Sequence, residues 1–319
     1  MEGFGEVSAG RDSGPWRRWA GVIHRIRSTC QDLNRRSRPS VRAEDDITGG
    51  NGRLLDELTT IVSAAAAAIL TVRARSLDTR TKPDRSPVTS ADEAAEAVIL
   101  DALGRLLPGV CVVSEEATGH AFPDRLPDSF VLVDPLDGTR ELIAGRDEFT
   151  INIAIVRGGH PRLGIVAAPA QGLLWRGIEG CGAERLRLAP GDPASAAQAR
   201  STIRTRRAPD TGLVAAISRS HPDPRTEALL ARLPIAARHA CGSAVKFCQL
   251  AEGSADIYPR LATTCEWDVA AGHAVLAAAG GIITTPEGSP LSYGRMAENF
   301  RIPAFIAWGD PSAAAGFGG

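Results

Sequence analysis

Lysine is nearly missing from this 319-residue chain. Lys82 and Lys246 are the only two, and the other 34 of the 36 basic side chains are arginines. We attribute this imbalance to coding bias, since a GC-rich genome favours arginine, alanine and glycine. The 37 acidic side chains leave a net charge of −1, so no global basic field exists to attract nucleic acid. We therefore expect no nucleic-acid partner.

Long apolar runs, a secretory leader and paired cysteines are also missing. No stretch reaches the roughly 18 uninterrupted apolar residues of a spanning helix, and acidic residues near the start argue against a signal peptide. The six cysteines are scattered with no C-x-x-C pair, which argues against a zinc site. Scattered thiols predict a reduced, cytoplasmic protein, and 44% hydrophobic residues suffice for a real core.

Residues 1–50 differ in composition from the rest of the chain. Nine arginines but only four acids fall within residues 1–43, and apolar periodicity is poor. We interpret the segment as a disordered extension outside the main fold. Two alternatives remain: a basic arm that contacts anionic lipid on the inner face of the membrane or nucleic acid, and an over-long gene start.

From Leu54 onward, helical and strand-like segments alternate, which predicts an α+β or α/β fold with an antiparallel contribution. We divide it into an N-terminal lobe, residues 51–200, and a C-terminal lobe, residues 201–319, with the linker within 189–210. The segment Thr79–Ser90 is predicted to be a loop. Helices are predicted at Leu54–Arg73, Ala91–Leu107, Arg225–Leu233, Val245–Glu252 and Asp268–Ala279. Strands are predicted at Val110–Val113, Phe130–Val133, Phe149–Val156, Arg162–Ala168, Leu173–Arg176, Leu213–Ser218, Asp256–Arg260, Ile282–Thr285 and Ile302–Trp308.

The most informative segment is Asp134–Thr139, with the sequence D-P-L-D-G-T after an apolar strand. Acids at the carboxyl end of a strand lie where open sheets bind ligands. Pro135 and Gly138 favour a tight turn that lets the two carboxylates converge on one cation. Backbone N–H groups at the start of a following helix can bind an anion. Carboxylates for Mg²⁺ together with amides for phosphoryl oxygens predict a metal-assisted phosphate site.

Three further segments place acids in comparable positions. Glu115 follows the strand at 110–113, while Asp92 and Asp268 lie at the starts of two helices. Each alone has a simpler explanation, since Asp92 and Asp268 could cap their helices and Glu115 could be a solvated surface residue. Together they indicate a multi-metal site, because two cations roughly 3.5–4 Å apart need several carboxylates.

These segments resemble the inositol monophosphatase superfamily. The resemblance rests on four ordered motifs: S-P-V-T-S-A-D before Glu93, E-E at Glu115, D-P-L-D-G-T at Asp134, and W-D-V-A-A-G at Trp267. It covers about residues 54–308. It implies a layered αβαβα sandwich with two lobes and Mg²⁺-dependent, lithium-sensitive hydrolysis of phosphomonoesters.

The resemblance also implies residue roles. Asp92 and Thr139 would orient and activate the attacking water, and Gly138 and Thr139 would contact the phosphate through their backbone. The expected ligands of two or three Mg²⁺ ions, which also contact substrate, are Glu115, Asp134, Asp137 and Asp268, with Leu136 through its carbonyl. Lys82–Thr89 resembles the mobile loop that closes over this metal site.

Five further segments, residues 147–154, 217–221, 242–248, 251–260 and 267–275, add a finer resemblance. Together they resemble the CysQ-type 3′(2′),5′-bisphosphate nucleotidases within that superfamily. The implied reaction converts adenosine 3′,5′-bisphosphate to AMP and phosphate in sulfur assimilation. A further implied substrate is 3′-phosphoadenosine 5′-phosphosulfate. The expected nucleotide-side residues are His221, Ser243, Lys246 and Arg260, with Ser243 and Lys246 on one face of a helix.

Other interpretations of these residues remain. His221 could be a plain turn residue before a proline, and Arg260 could pair with Asp256. The chain could instead be an inositol-1-monophosphatase or another sugar or histidinol phosphatase of the superfamily. A third hypothesis is a non-enzymatic binding protein that uses the arginine-rich arm. Oligomeric state is not predicted.

Overall fold

A computed structural model describes residues 51–83, 85–117 and 125–315. The arginine-rich segment 1–50 and Asp84 of the predicted loop lie outside the described residues. The predictions made for that segment, including contact with a membrane, therefore stay predictions.

Each predicted helix and strand has a counterpart in the described residues, and the structure adds elements that the apolar patterns do not predict. The helices are α1 (Asn51–Arg73), α2 (Ser90–Leu106), α3 (Thr139–Ile143), α4 (Pro224–Leu230), α5 (Val245–Ala251), α6 (Glu266–Ala278) and α7 (Pro311–Ala315). The strands are β1 (Thr79–Thr81), β2 (Pro87–Thr89), β3 (Cys111–Ser114), β4 (Ser129–Asp137), β5 (Thr150–Arg157), β6 (His160–Ala168), β7 (Leu173–Ile178), β8 (Gly182–Arg187), β9 (Ala199–Ile203), β10 (Leu213–Ser218), β11 (Ile235–Cys241), β12 (Ile257–Arg260), β13 (Thr264–Cys265), β14 (Ile282–Thr284), β15 (Arg301–Ile302) and β16 (Phe305–Trp308).

Two mixed sheets carry the architecture. The seven-stranded sheet runs β3-β4-β5-β6-β7-β8-β9, and its pairs are antiparallel except β3 with β4. The five-stranded sheet runs β11-β10-β12-β16-β14, with β10 parallel to both β11 and β12. The predicted meander β5-β6-β7 is confirmed as three consecutive antiparallel strands.

Five layers alternate between helices and sheets. Helices α1 and α2 cover one face of the seven-stranded sheet, where Leu58, Ile99 and Ile153 share one core. Helices α5 and α6 fill the space between the two sheets in a second core. Helices α4 and α7 cover the outer face of the five-stranded sheet around Leu230 and Trp308. The order αβαβα is the one that the family resemblance implies.

One helix among the described residues, Gly52–Arg73, is long and apolar enough to cross a membrane by length and composition alone. Its Leu58, Val62, Ala65 and Ile69 side chains are buried in the core shared with α2 and the seven-stranded sheet. A core helix of a globular protein passes the same length and composition test. The expectation of a globular core, made from the sequence, agrees with this packing.

The structure corrects three predicted segments. The predicted loop Thr79–Ser90 contains the β1–β2 hairpin, and Ala199–Ile203, inside the predicted linker, is the edge strand of the seven-stranded sheet. Strand β11 was not predicted. Strands β1, β9 and β11 expose most of their side chains, so they lack the apolar alternation by which a strand is recognised from sequence. The lobe boundary at residue 200 stays a prediction.

Candidate active site

A cleft of about 300 Å³ lies at the start of α6 and is lined by residues of both sheets. Acidic side chains from β4, the turn after β3 and the first turn of α6 line one part of it, and basic side chains from α5 and β12 line another. It gathers eleven of the predicted site residues: Glu115, Asp134, Leu136, Asp137, Gly138, Thr139, His221, Ser243, Lys246, Arg260 and Asp268. Asp92 reaches it through Thr139.

The acidic cluster has the donor set of a hard-cation site. Glu115, Asp134 and Asp268 each place a carboxylate oxygen within 4.8 Å of the others. Burial raises the pKa of Asp134 well above its ordinary value, and Glu115, Asp137 and Asp268 raise it further. Burial and Asp268 raise the pKa of Asp137 to about 7, although Lys246 and Arg260 lower it. Carboxylates that repel one another in this way favour a bound divalent cation, and oxygen donors suit Mg²⁺.

The backbone of the D-P-L-D-G-T segment creates this convergence. Asp134 Oδ1 accepts a hydrogen bond from the Leu136 N–H at 3.0 Å, and β4 bulges between Asp134 and Asp137. Gly138 has a φ of +96°, and a Cβ there would lie 3.2 Å from the Glu148 carbonyl oxygen. Glycine is therefore required where the chain turns from β4 into α3.

Asp92 connects the start of α2 to Thr139. Its Oδ2 accepts hydrogen bonds from the Thr89 N–H at 2.8 Å and the Thr89 hydroxyl at 2.6 Å, which forms a capping box. Its Oδ1 accepts from the Thr139 hydroxyl at 2.9 Å. Burial raises the pKa of Asp92, while the hydrogen bonds from Thr89 and Thr139 lower it. The capping explanation and the catalytic one are therefore compatible, since each uses a different oxygen.

Asp268 likewise caps a helix, at the start of α6, and also contributes to the site. Its Oδ2 accepts from the Cys265 N–H at 3.0 Å and from the Thr264 hydroxyl, so it caps the helix. Its position in the cleft brings a carboxylate from the central helix layer to those of the seven-stranded sheet.

Lys82 holds the β1–β2 hairpin against the acidic cluster. Its ammonium lies 2.9 Å from Glu115 Oε1 and 2.6 Å from Glu116 Oε1. Burial alone would lower the pKa of Lys82, but the two glutamates raise it. Burial and Glu115 raise the pKa of Glu116 to about 7, against the lowering effect of Lys82. The first of the two lysines thus contacts an expected metal ligand.

The second lysine lies on the basic side of the cleft. The buried Lys246 Nζ donates to the Ser243 carbonyl at 2.5 Å and lies 5.2 Å from the centre of the Tyr258 ring. Burial would lower the pKa of Arg260, but Tyr258, Asp268 and Asp137 raise it. His221 lines the edge of the cleft, where partial desolvation of the ring and the charge of Arg260 lower its pKa.

One prediction and one alternative interpretation about this side are wrong. Ser243 does not share a helix face with Lys246, because α5 begins at Val245 and Ser243 adopts a left-handed φ of +47°. The alternative pairing of Arg260 with Asp256 is also absent among the described residues, since Asp256 binds Arg206 through two 2.8 Å hydrogen bonds.

Sequence patterns do not single out Glu148, which joins the turn before β5 to the segments that follow β10 and β11. Its Oε2 accepts from the Gly242 N–H at 2.9 Å, and its Oε1 accepts from Arg219 at 2.7 Å. A Cβ on Gly242 would lie 2.6 Å from the Glu148 carbonyl oxygen, so this close approach needs glycine. No local pattern signals the contact, because its partners are about 70 to 94 positions away.

The comparisons with known proteins agree with this geometry. Residues 53–308 match the model of the inositol monophosphatase family. The 3′(2′),5′-bisphosphate nucleotidase CysQ of Escherichia coli (strain K12) is 38% identical over 260 residues, covering 79% of this chain and 98% of that protein. The crystal structure of CysQ from Bacteroides thetaiotaomicron superposes with a TM-score of 0.64 at 32% identity, covering 79% of this chain and 95% of that one. The protein suhB from Bartonella henselae shares the fold, with a TM-score of 0.66 at 21% identity, covering 83% of this chain and 97% of that one. The chain belongs to the inositol monophosphatase family.

Proposed function

We propose that this protein is a Mg²⁺-dependent 3′(2′),5′-bisphosphate nucleotidase that converts adenosine 3′,5′-bisphosphate to AMP and phosphate. The observation that carries the proposal is a single cleft with clustered carboxylates on one side and Lys246 and Arg260 on the other. A substrate with two phosphates needs both a metal site and separate cationic groups. The relatives named as bisphosphate nucleotidases support the same conclusion.

Glu115, Asp134, Asp137 and Asp268, with the Leu136 carbonyl, would hold two or three Mg²⁺ ions. When bound, such ions lower the pKa of water and neutralise the charge that develops on the phosphate. Asp134 Oδ2 is buried and makes no hydrogen bond within the described part of the chain, so this atom still has its acceptor capacity.

Thr139 and Asp92 would position the attacking water. Because the Thr139 hydroxyl donates its single proton to Asp92, its oxygen lone pairs remain to accept a hydrogen bond from that water. The buried Asp92 side chain is fixed by the capping box and holds the Thr139 hydroxyl, which also lies 3.3 Å from the Leu136 carbonyl. The backbone N–H groups of Gly138 and Thr139 would contact the phosphoryl oxygens.

The nucleotide side would be bound by His221, Ser243, Lys246 and Arg260. Ser243 Oγ and Arg260 Nε are buried and make no hydrogen bond among the described residues, so both polar atoms can bind the 5′-phosphate or ribose. His221, with its lowered pKa, would contribute as a neutral hydrogen-bonding ring at neutral pH. The positive charge that binds the second phosphate would then come from Lys246 and Arg260.

The proposal is tested by measuring phosphate release from four substrates, each in the presence of Mg²⁺. These are adenosine 3′,5′-bisphosphate, 3′-phosphoadenosine 5′-phosphosulfate, inositol 1-phosphate and histidinol phosphate. We expect kcat/KM to be highest for the bisphosphate. A clear preference for inositol 1-phosphate or histidinol phosphate would identify the alternative phosphatases instead. Absence of turnover with all four substrates would favour the non-enzymatic hypothesis.

We propose a cytoplasmic location and a small-molecule partner. The five cysteines of the described residues are all free thiols, as in reducing compartments. Contact of residues 1–50 with the inner face of the membrane stays a prediction about a segment outside the described residues.

A further inference from the structure

Three buried side chains behind the acidic cluster have polar atoms without partners. Asp134 Oδ2, Thr150 Oγ1 and both amide atoms of Asn152 make no hydrogen bond within the described residues. Each side chain is buried, with at most 1% of its surface exposed. Buried polar groups are normally hydrogen-bonded, and each exception calls for an explanation.

The three side chains lie next to one another. In the antiparallel β4–β5 pair, Asp134 is opposite Asn152 and Asp137 is opposite Thr150. Residues directly opposite each other share a face of the sheet, with Cβ atoms about 5 Å apart. Asn152 and Thr150, two positions apart on β5, therefore face the same side as Asp134.

That side of the sheet packs against α6. Leu132 and Ala154, two positions from Asp134 and Asn152, belong to the core that contains Val269 and Ala270 of α6, and α6 contacts both β4 and β5. Asn152 and Thr150 thus interrupt an otherwise apolar face directly behind the carboxylates that meet at the start of α6.

Buried polar groups without partners lower the stability of the folded protein. An unpartnered buried hydroxyl or amide loses its hydration, and an apolar side chain of the same shape would avoid that cost. Buried polar side chains of the described residues that lie away from the cleft have partners: the Thr59 hydroxyl, for example, donates to the Leu55 carbonyl at 2.7 Å and accepts from Arg176 at 2.9 Å. Among the described residues, the unpartnered buried atoms lie on the cleft itself, at Asp134, Ser243 and Arg260, or directly behind it, at Thr150 and Asn152.

We propose that Asn152 and Thr150 are positioning residues for the metal-binding carboxylates. The Asn152 amide donates to Asp134 Oδ2 when the carboxylate takes up a cation, and the Thr150 hydroxyl supports the neighbouring Asp137. A carboxylate oxygen can accept a hydrogen bond on one lone pair and bind a cation with the other. This inference rests on the metal site proposed above.

Isothermal titration of the full-length protein with MgCl₂ tests it, together with thermal unfolding in the presence of a chelator. Asn152→Leu should weaken Mg²⁺ binding by about 10- to 100-fold, while the melting temperature of the metal-free protein stays equal or rises. Thr150→Val should weaken binding in the same direction. Thr150→Ser, which keeps the hydroxyl, should restore most of the affinity.

Thr59→Val is the matched control, since it removes a buried hydroxyl that is hydrogen-bonded far from the cleft. It should lower the melting temperature and leave the Mg²⁺ dissociation constant as in the wild type. Wild-type affinity in both Asn152→Leu and Thr150→Val would overturn the inference, as would a lower melting temperature with unchanged affinity. If Asn152→Leu does not fold, the Thr150→Val and Thr150→Ser pair decides. A wild-type protein that binds no Mg²⁺ would instead overturn the proposed metal site.

Discussion

At the scale of single residues, one carboxylate often serves both a helix and the site. Asp92 and Asp268 each cap the helix on which they lie with one oxygen, Oδ2. Asp92 uses its other oxygen to hold Thr139, and Asp268 offers its carboxylate to the acidic cluster. Substituting either residue therefore changes helix stability and the site together. Asp137 lies on the bulge of β4, and the helix that follows it, α3, has no side-chain cap hydrogen bond, so Asp137 offers a cleaner test.

Asp137→Asn should weaken Mg²⁺ binding and lower kcat by about 100-fold or more, because it removes a charge that would balance the cations. Steady-state kinetics and titration calorimetry measure both effects. Asp101→Asn, on the exposed surface of α2, is the matched control and should keep wild-type activity. Near-normal turnover by Asp137→Asn would mean that the acidic cluster is not the metal site.

Lys246→Arg should raise KM for the bisphosphate and lower the free energy of unfolding by about 1–3 kcal/mol. The Lys246 side chain is 2% exposed, and its ammonium is held by the Ser243 carbonyl and the Tyr258 ring. A planar guanidinium is larger and needs a different set of acceptors.

Kinetics and urea unfolding check this expectation, with Arg53→Lys as the control, since the Arg53 side chain is 89% exposed. The control should change stability by less than about 0.5 kcal/mol. If Lys246→Arg kept the wild-type KM and stability, the scarcity of lysine would carry no functional information.

At the scale of elements, α6 is placed by close contacts with the sheet and with α5. A Cβ on Gly164 of β6 would lie 2.3 Å from the Ala271 carbonyl oxygen, and a Cβ on Gly272 would lie 2.3 Å from the Phe247 ring. Only glycine allows α6 to approach this closely. The position of Asp268 thus depends on glycines that do not line the cleft.

Gly164→Ala should destabilise the protein by about 1–3 kcal/mol and weaken Mg²⁺ binding, because α6 must move away from β6 and carries Asp268 with it. Thermal unfolding and Mg²⁺ titration measure the two effects. Gly104→Ala on α2 is the control: a Cβ there meets nothing within 4 Å, so it should stabilise the helix by about 0.5–1 kcal/mol. Equal stability of the two alanine variants would contradict this account of α6.

At the scale of the whole molecule, the central helix layer is sealed between two sheets, and His273 of α6 shows the consequence. The ring lies 2.8 Å from the Tyr293 hydroxyl. Burial lowers the pKa of His273 to about 4, with a smaller contribution from His160. An ionisable group inside this layer is therefore kept neutral by the packing around it.

The stability of the protein should consequently fall as pH decreases from about 6.5 to about 4. In that range the unfolded state binds a proton at His273 that the folded state does not, so folding is favoured above the range and loses that contribution within it. The shift corresponds to roughly 3 kcal/mol. Urea unfolding of the wild type and His273→Gln at several pH values should show a flatter dependence for the variant.

His239→Gln, on the exposed strand β11, is the control and should keep the wild-type pH dependence. Acidic groups titrate in both proteins, so the comparison between wild type and variant isolates the histidine. If the unfolding free energies of His273→Gln and the wild type changed with pH in parallel, the histidine ring would not be kept neutral by the fold.

The sequence by itself determined the family, the layered fold and the candidate metal ligands. Asp134–Thr139 carries its chemistry within six consecutive residues, and the capping positions of Asp92 and Asp268 are local features of helix starts. Helices α1, α2 and α6 were recognisable because their core-facing residues repeat with the period of a helix. Features of this kind depend on near neighbours in the chain, so a single sequence contains them.

Only the tertiary structure decided the rest. The exposed edge strands β9 and β11 are defined by backbone hydrogen bonds to neighbouring strands, which leave no apolar pattern. The contact of Glu148 with Gly242 and the unpartnered state of Asn152 depend on atoms brought close by chain folding. Whether a polar side chain is satisfied is a property of its partners rather than of its own residue type, and those partners lie far away in the sequence.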